Sequence, residues 1–341
     1  MINAKRRHTV VLTGFGLLIV VLFPLLLAIG SVDIPLRDVW AALTGGEISR
    51  EAWRVIVVDT RIPAACTAAL AGASLSVAGL LLQTTFDNPL AGPSILGVST
   101  GSSLGVALVM LALGGAGTLA GQSAVLAGAL IGALVIMVIL VGMSSLVKSA
   151  AMLLIVGILI GYISSSAISL LNFFATQEGV HSYVIWGLGN FYGVTTDRLP
   201  WFALLSLLLI GLSLLFIKPL TALLLGTRYA ENIGVRTIRV RNQLLLLSGA
   251  LTALVTAACG PIGFIGLVVP HIARLATGTS NHATLLPATI LAGAATGLLC
   301  GLISVLPSSH GVLPVNAITP IIGVPVIIYI ILRRRKIFYF N

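Results

Sequence analysis

The chain has 341 residues, of which 58% are apolar and only 8% charged, and its mean hydropathy is +1.12. A soluble domain carries roughly a quarter charged residues, and one core of this size cannot hide so much apolar surface from water. A water-soluble enzyme, a disordered chain and a fibrous repeat are excluded, and the main solvent is lipid.

A bilayer-spanning helix takes about 20 apolar residues, so the length accommodates roughly eight to eleven spans. Lys5-Arg6-Arg7-His8 precedes an apolar run from Thr9 to about Ile29. That run is too long for a signal peptide and lacks a convincing cleavage site, so it reads as span one. Residues 31–60 form a polar segment with an acidic excess (Asp33, Asp38, Glu47, Glu51 and Asp59 against Arg37, Arg50 and Arg54), expected on the outer face. Span two follows Arg61-Ile62-Pro63, runs to about Phe86 and is broken by Asp87-Asn88-Pro89. Span three covers about 94–113 and leaves through Gly114-Gly115-Ala116-Gly117; span four covers 121–143; Ser144 to Ser149, with Lys148, turns into span five, 150–173.

Residues 175–200 are polar and aromatic, with Glu178, His181, Tyr183, Trp186, Tyr192, Asp197 and Arg198, as expected of an outer segment at headgroup level. Span six covers 201–217. The stretch 218–242 carries Lys218, Arg228, Arg236, Arg239 and Arg241 against the single acid Glu231. Span seven, 243–259, ends at Gly260-Pro261-Ile262-Gly263. A short span eight closes near Pro270-His271-Ile272-Ala273-Arg274, span nine covers 284–305, and an outer loop, 306–316, leads into span ten, 317–332, and Arg333-Arg334-Arg335-Lys336. With both termini cytoplasmic, the inner segments hold 14 of the 19 basic residues and only two of the nine acids, Asp87 and Glu231. This obeys the positive-inside rule, so the basic balance reflects membrane orientation and anionic lipid, with no nucleic acid needed. The expected fold is an all-α polytopic membrane protein of about ten helices, one transmembrane domain over 1–341.

No Asp, Glu, Lys or Arg lies in the core of any expected span, and none occurs from Pro89 to Val147. Ion-coupled carriers place ionisable groups at mid-depth, and membrane hydrolases need an acid–base pair. There is no phosphate loop of the GxxxxGK[ST] type. Uphill transport would therefore need energy from a partner, and 218–242 is large enough to receive one. Cys66, Cys259 and Cys300 sit singly in apolar runs and read as packing residues, with no disulfide and no metal site. Two Gly/Pro breaks, Asn88-Pro89-Leu90-Ala91-Gly92-Pro93 and Gly260-Pro261-Ile262-Gly263-Phe264-Ile265-Gly266, each follow a Gly/Ala-rich span. By sidedness the first faces in and the second out, as an inverted repeat would, and non-helical backbone at that depth must line a cavity or be buried in protein.

In order and spacing, these segments resemble the permease subunits of bacterial ABC importers for iron–siderophores, haem and cobalamin, the FecCD type. The matching residues are Arg61-Ile62-Pro63, Gly79 to Gln83 with Asn88 to Gly101, Trp186-Gly187-Leu188-Gly189, Leu225-Gly226 with Ala230 and Ile233-Gly234, Gly260 to Arg274, Leu313-Pro314-Val315 and Gly323-Val324-Pro325. Ala64 stands where the family commonly has Arg. Where the family often has an Asp, an Arg and a Glu near the end of span nine and before L-P-[VI], this chain has Gly301, Val305 and Val312, with Pro307-Ser308-Ser309-His310 in the outer loop. Docking of a binding protein at that corner is thereby put in doubt.

The resemblance implies a homodimer with two ATPase subunits below and an extracytoplasmic solute-binding protein above, in the bacterial inner membrane. ATP and Mg would be bound by the ATPase, and this chain would hold no cofactor, metal or catalytic site. It also implies ATPase coupling at Leu225, Gly226, Arg228, Ala230, Glu231 and Gly234. The alternative is a basic loop on anionic lipid. An inner gate is expected at Asn88, Pro89 and Leu90, where Asn88-Pro89 could instead be merely a turn, and at Ser144 and Ser145. Gly92, Pro93, Gly260, Pro261, Gly263 and Pro270 would shape the broken helices beside the path. Arg50 and Arg54 could receive carboxylates of the binding protein, or pair with Glu47 and Glu51. His271 and Arg274 sit at an inner helix end, where cations offset the dipole. His181 and His310 are the outer histidines that could touch haem iron, although a lone exposed His is usually inert. An ion-coupled carrier or channel and a membrane-embedded enzyme are the rival classes, and the cargo is not legible.

Overall fold

The computed structural model describes residues 4–113, 119–147, 149–306 and 311–333, and every regular element among them is helical. Gly114 to Gly117, Lys148, Pro307 to His310, and Arg334, Arg335 and Lys336 lie outside the described residues. In chain order the helices are α1 (Ala4–Ala28), α2 (Leu36–Thr44), α3 (Glu51–Val55), α4 (Ile62–Thr85), α5 (Val98–Ala107), α6 (Leu119–Leu146), α7 (Ala150–Phe174) and α8 (Gln177–Gly187). They continue with α9 (Leu199–Leu214), α10 (Ile217–Leu223), α11 (Thr227–Asn232), α12 (Thr237–Cys259), α13 (Ile265–Thr277), α14 (His282–Val305) and α15 (Val315–Arg333). Among the described residues, six helical runs are long and apolar enough to span. A pair bent by 53°, α9 with α10, makes a seventh, and Val98–Ala112, Ile265–Thr277 and Val315–Tyr329 are shorter apolar helices. Together these meet the ten expected spans in order.

The segment 31–60 is more ordered than a polar loop. α2 buries Val39 and Ala42 against Ile34 and Val57. Asp38 accepts the Ser49 amide and hydroxyl, both at 2.9 Å, which folds the following turn back on α2. From Glu51 the chain is continuously helical through a π-helical stretch, Ile56–Arg61, into α4, with no Gly or Pro before Pro63, whose missing N–H falls where the π-helical stretch gives way to α4.

Cross-chain contacts sort the helix termini into two ends. At one, Arg7 meets the end of α13, Thr84 meets His282, and Ser144 meets Arg241 and Asn242. At the other, Arg61 meets the end of α1, Thr196 meets Asp59, Arg198 meets Ser123, and Asn316 meets Gly187 and Pro261. The first end gathers the segments rich in Arg and Lys, and the second gathers the acidic ones. α4 runs toward the basic end and α12 away from it, so the two broken spans are antiparallel.

Two glycine stripes bring helices into backbone contact, the packing available where lipid removes the hydrophobic drive between helices. Between α5 and α6, a Cβ on Gly105 would lie 1.9 Å from the Gly128 carbonyl oxygen, and one on Gly132 would lie 2.1 Å from that of Gly101. Between α4 and α14, Gly72 and Gly293 meet in the same way, at 2.2 Å. Cys259 and Cys300 are buried in the core, as packing residues would be.

Three arginines terminate helices other than their own. Arg7 donates to Leu275 and Ala276 of α13 at 2.9 and 3.0 Å. Arg61 donates to Leu27 and Ala28 of α1 at 2.8 and 2.9 Å, and also to Val32. Arg241 donates to Ser144 and Val147 at the end of α6. The last four carbonyls of a helix lack internal partners, and a cation there also opposes the dipole. Arg61, which opens span two in the sequence, is in fact 4% exposed and serves span one.

Candidate functional site

The first break begins where α4 ends. Asp87 takes a left-handed conformation (φ 44°), and the Asn88 amide donates back to the Gln83 carbonyl at 3.1 Å, closing α4 in a Schellman-like turn. Asn88 Oδ1 then accepts the Leu90 amide at 2.9 Å. Asn88 therefore shapes the turn after α4, while Gly97, at φ 76°, is the residue that starts α5. Leu90 projects from the turn and is 46% exposed. Gly92 and Pro93 are buried beside α13, where a Cβ on Gly266 would sit 2.8 Å from the Pro93 ring.

Arg274 lies in the last turn of α13, but the carbonyls at that end have other donors. The Gly278 amide takes the Arg274 carbonyl, and Arg7 takes the next two. The side chains of His271 and Arg274 instead reach the first break: His271 Nε2 lies 2.8 Å from the Pro89 carbonyl, and Arg274 lies 3.4 Å from Gln83 Oε1. Pro270, inside α13, has no N–H, so the Gly266 carbonyl is released from the helix ladder. That oxygen points at Gly79, where a Cβ would be 1.7 Å away.

The second break is knitted by a residue that the motif reading passed over. Asn316 Oδ1 accepts the Gly263 amide at 3.1 Å, while its Nδ2 donates to Gly187 at 3.2 Å and also to Pro261. Its backbone amide donates to Leu188 at 3.2 Å. Gly260 (φ 75°) lies so close to Trp186 and Gly189 that a Cβ would stand 2.4 Å from the Trp186 carbonyl oxygen. The Trp186 to Gly189 motif, the break and the start of α15 thus form one polar knot. An amide side chain just inside an apolar span, immediately after Leu313-Pro314-Val315, was the available signal.

At the basic end, α10 and α11 present the expected coupling residues. Gly226 (φ 99°) and Gly234 (φ 89°) turn the chain before and after the six-residue α11, and Ala230 packs inward. Leu225, Tyr229 and Ile233 point outward at 63%, 48% and 55% exposure, among exposed Arg228, Glu231, Arg236 and Arg239. An open cleft of about 670 Å³ beside them is lined by Glu231, Arg236, Arg239, Ile238 and Leu246, among others. Thr237 Oγ1 donates to Glu231 Oε1 at 2.7 Å and ties α11 to the start of α12. Thr237→Val is expected to destabilise the protein by about 1 kcal/mol, seen as a drop of about 2 °C in thermal unfolding; an unchanged transition would show that the tie carries no stability.

Ser144 is 1% exposed and bonded to Asn242, with its carbonyl held by Arg241, so it joins α6 to α12; Ser145 follows in the last turn of α6. At the acidic end, Arg54 pairs with Glu51 at 3.2 Å and donates to the Gly46 carbonyl, whereas exposed Arg50 stacks on Trp53 at 5.1 Å. His181 is exposed on α8. On α7, exposed Tyr162, Ser165, Ser166 and Ser169 put hydroxyls on the surface of a spanning helix. The model of the FecCD transport family matches residues 17–333.

The chain belongs to the FecCD transport family.

It is 34% identical over 331 residues to the vitamin B12 import system permease protein BtuC of Klebsiella pneumoniae subsp. pneumoniae, covering 97% of this chain and 96% of that one. It is also 34% identical over 335 residues to BtuC of Citrobacter koseri, with 97% of each covered. Among solved structures, an inward-facing metal-chelate type ABC transporter matches with a TM-score of 0.83 and 28% identity, over 94% of this chain and 98% of that one. The protein is thus a multi-pass inner-membrane permease subunit of an ABC importer, as its motifs imply. The residues that carry the resemblance in the sequence fall at both helix breaks, at the Trp186 knot and on the α10–α11 face.

Proposed function

We propose that this chain is half of a homodimeric pore that passes a large metal chelate, cobalamin first among the cargoes to test, with ATP hydrolysis supplied by a separate subunit on the cytoplasmic side. The observation that carries this reading is the coupling face: apolar Leu225, Tyr229 and Ile233 stand exposed among charges at the basic end, with Ala230 buried behind them. An exposed apolar cluster rimmed by charge marks a protein partner better than it marks lipid headgroups. The positive-inside rule puts this end in the cytosol. The expected spans carry no Asp, Glu, Lys or Arg in their cores, which supports a path that binds a bulky neutral or chelated solute weakly and draws energy from outside itself. Leu90 in the turn shaped by Asn88 is the inner gate, and Arg50 on the opposite end is a contact for an extracytoplasmic binding protein. The exposed hydroxyls of α7 favour a wet pathway over a lipid face. The cobalamin assignment follows the cargo named for the BtuC relatives.

The test is uptake of radiolabelled cyanocobalamin into proteoliposomes holding this chain, its ATPase and its binding protein. Vanadate-sensitive uptake that falls to background when the ATPase is omitted is the expected result. Accumulation driven by a proton or sodium gradient alone would overturn the importer mechanism. ATP-driven uptake of a ferric siderophore or haem, with none of cobalamin, would replace the cargo and leave the mechanism standing.

A further inference from the structure

We propose that His271 and Arg274 are positioning residues for the inner gate: from the end of α13 they hold the Pro89 carbonyl, and through it the turn that presents Leu90. The proposal rests on the reading of residues 88–90 as that gate. His271 Nε2 is 2.8 Å from the Pro89 oxygen, and Arg274 Nη1 is 3.2 Å from His271 Nδ1. Nη1 and Nη2 of Arg274 both lie 3.4 Å from Gln83 Oε1, and Gln83 Nε2 donates to the Leu267 carbonyl at 3.0 Å.

The roles in this chain follow from what each group can do. A guanidinium only donates, so Nδ1 of His271 must accept, and the ring proton must sit on Nε2, aimed at the Pro89 carbonyl. The Gln83 amide donates to α13 through its nitrogen, which leaves its oxygen for Arg274. Gln83 also accepts the Asn88 amide on its own backbone carbonyl, so one residue of α4 touches both sides of the latch. α13 is a firm anchor for the imidazole. Gly266 packs on the backbone of Leu75 at one end of it, and Arg7 grips Leu275 and Ala276 at the other. A residue placed merely to offset the α13 dipole would need neither a ring nor this tautomer, and Gly278 and Arg7 already serve the helix end. The latch joins two stretches about 180 residues apart, 83–90 and 267–274, at the point where the first broken span turns.

The experiment uses the whole transporter with its ATPase subunits in proteoliposomes. Cys66, Cys259 and Cys300 are replaced by alanine and Leu90 by cysteine, and the rate of maleimide labelling at position 90 is measured with and without ATP and vanadate. His271→Leu is expected to raise labelling in the protected nucleotide state about fivefold, the scale of a modest coupling between sites, and to shrink the difference between states. His271→Gln keeps an N–H for Pro89 and an oxygen for Arg274, so it should stay close to the parent. Should His271→Leu not fold, Gln83→Leu, which removes the acceptor of Arg274, carries the same expectation. Labelling that stays at the parent rate in the leucine variants, or a glutamine variant that behaves like leucine, overturns the latch. If position 90 shows no nucleotide dependence in the parent, the gate assignment itself falls; if the dependence is present but indifferent to the latch, only the latch does.

Discussion

Gly79→Leu is expected to remove nearly all folded, monodisperse protein from detergent extracts, while Gly14→Leu leaves the yield unchanged. The two glycines sit in comparably apolar helices, and only the surroundings differ. A Cβ at position 79 would lie 1.7 Å from the Gly266 carbonyl oxygen and 2.5 Å from its carbon, whereas nothing lies within 4 Å of one at position 14. The obstacle is backbone, so no rotamer change relieves it. α4 and α13 would have to part by more than an ångström, against the packing of Gly266 on Leu75 and the polar ties from Gln83 to Leu267 and Arg274. Overfilling a packed interior costs about 1–3 kcal/mol even where side chains can adjust, and more where they cannot. Gly79→Ala should therefore also lower the unfolding temperature measurably. Wild-type stability in Gly79→Leu would mean that these two helices are not in backbone contact.

Arg61→Leu is expected to destabilise the protein by about 3 kcal/mol, the scale of charge-assisted hydrogen bonds lost from buried neutral carbonyls. The guanidinium is the donor for Leu27, Ala28 and Val32, and it lies against Gly30, where a Cβ would come within 2.7 Å of it. Leucine fills part of the volume and supplies no hydrogen, so buried carbonyls at the end of α1 lose their partner, at about 1–3 kcal/mol for each one left dry. Arg61→Lys keeps the charge but has no planar fork, so it should fall between the two. Net stabilities of folded domains are about 5–15 kcal/mol, so the leucine variant should show a large drop in the midpoint of thermal or denaturant unfolding. A midpoint within one degree of wild type would refute the capping role.

The span count was legible because an apolar run long enough to cross lipid has few alternatives, and because Gly and Pro mark where helices stop. Residues 86–93 and 260–264 interrupt helices as their composition requires. The first polar segment was less legible. Its charges imply a loop, yet Asp38 turns inward to Ser49 and Glu51 begins a helix that runs into α4. Charge reports which side of the membrane a segment occupies, and says little about whether its backbone is helical. Ser144 could be singled out by position alone, but its bond to Asn242 joins residues 98 apart and no local pattern reveals it.

Sequence alone determined the class: a bare apolar chain with its cations gathered at one set of turns must live in a membrane, and its ordered motifs resemble those of an inner-membrane ABC importer permease. Only the tertiary structure decided what the polar residues do. Arg7, Arg61 and Arg241 became caps for other helices, Asn316 became the knot of the second break, and His271 turned from its own helix end to the Pro89 carbonyl. The physical reason is that a hydrogen bond in a lipid-buried protein goes to whichever unsatisfied backbone group the fold brings near, and those groups belong to helices distant in the chain.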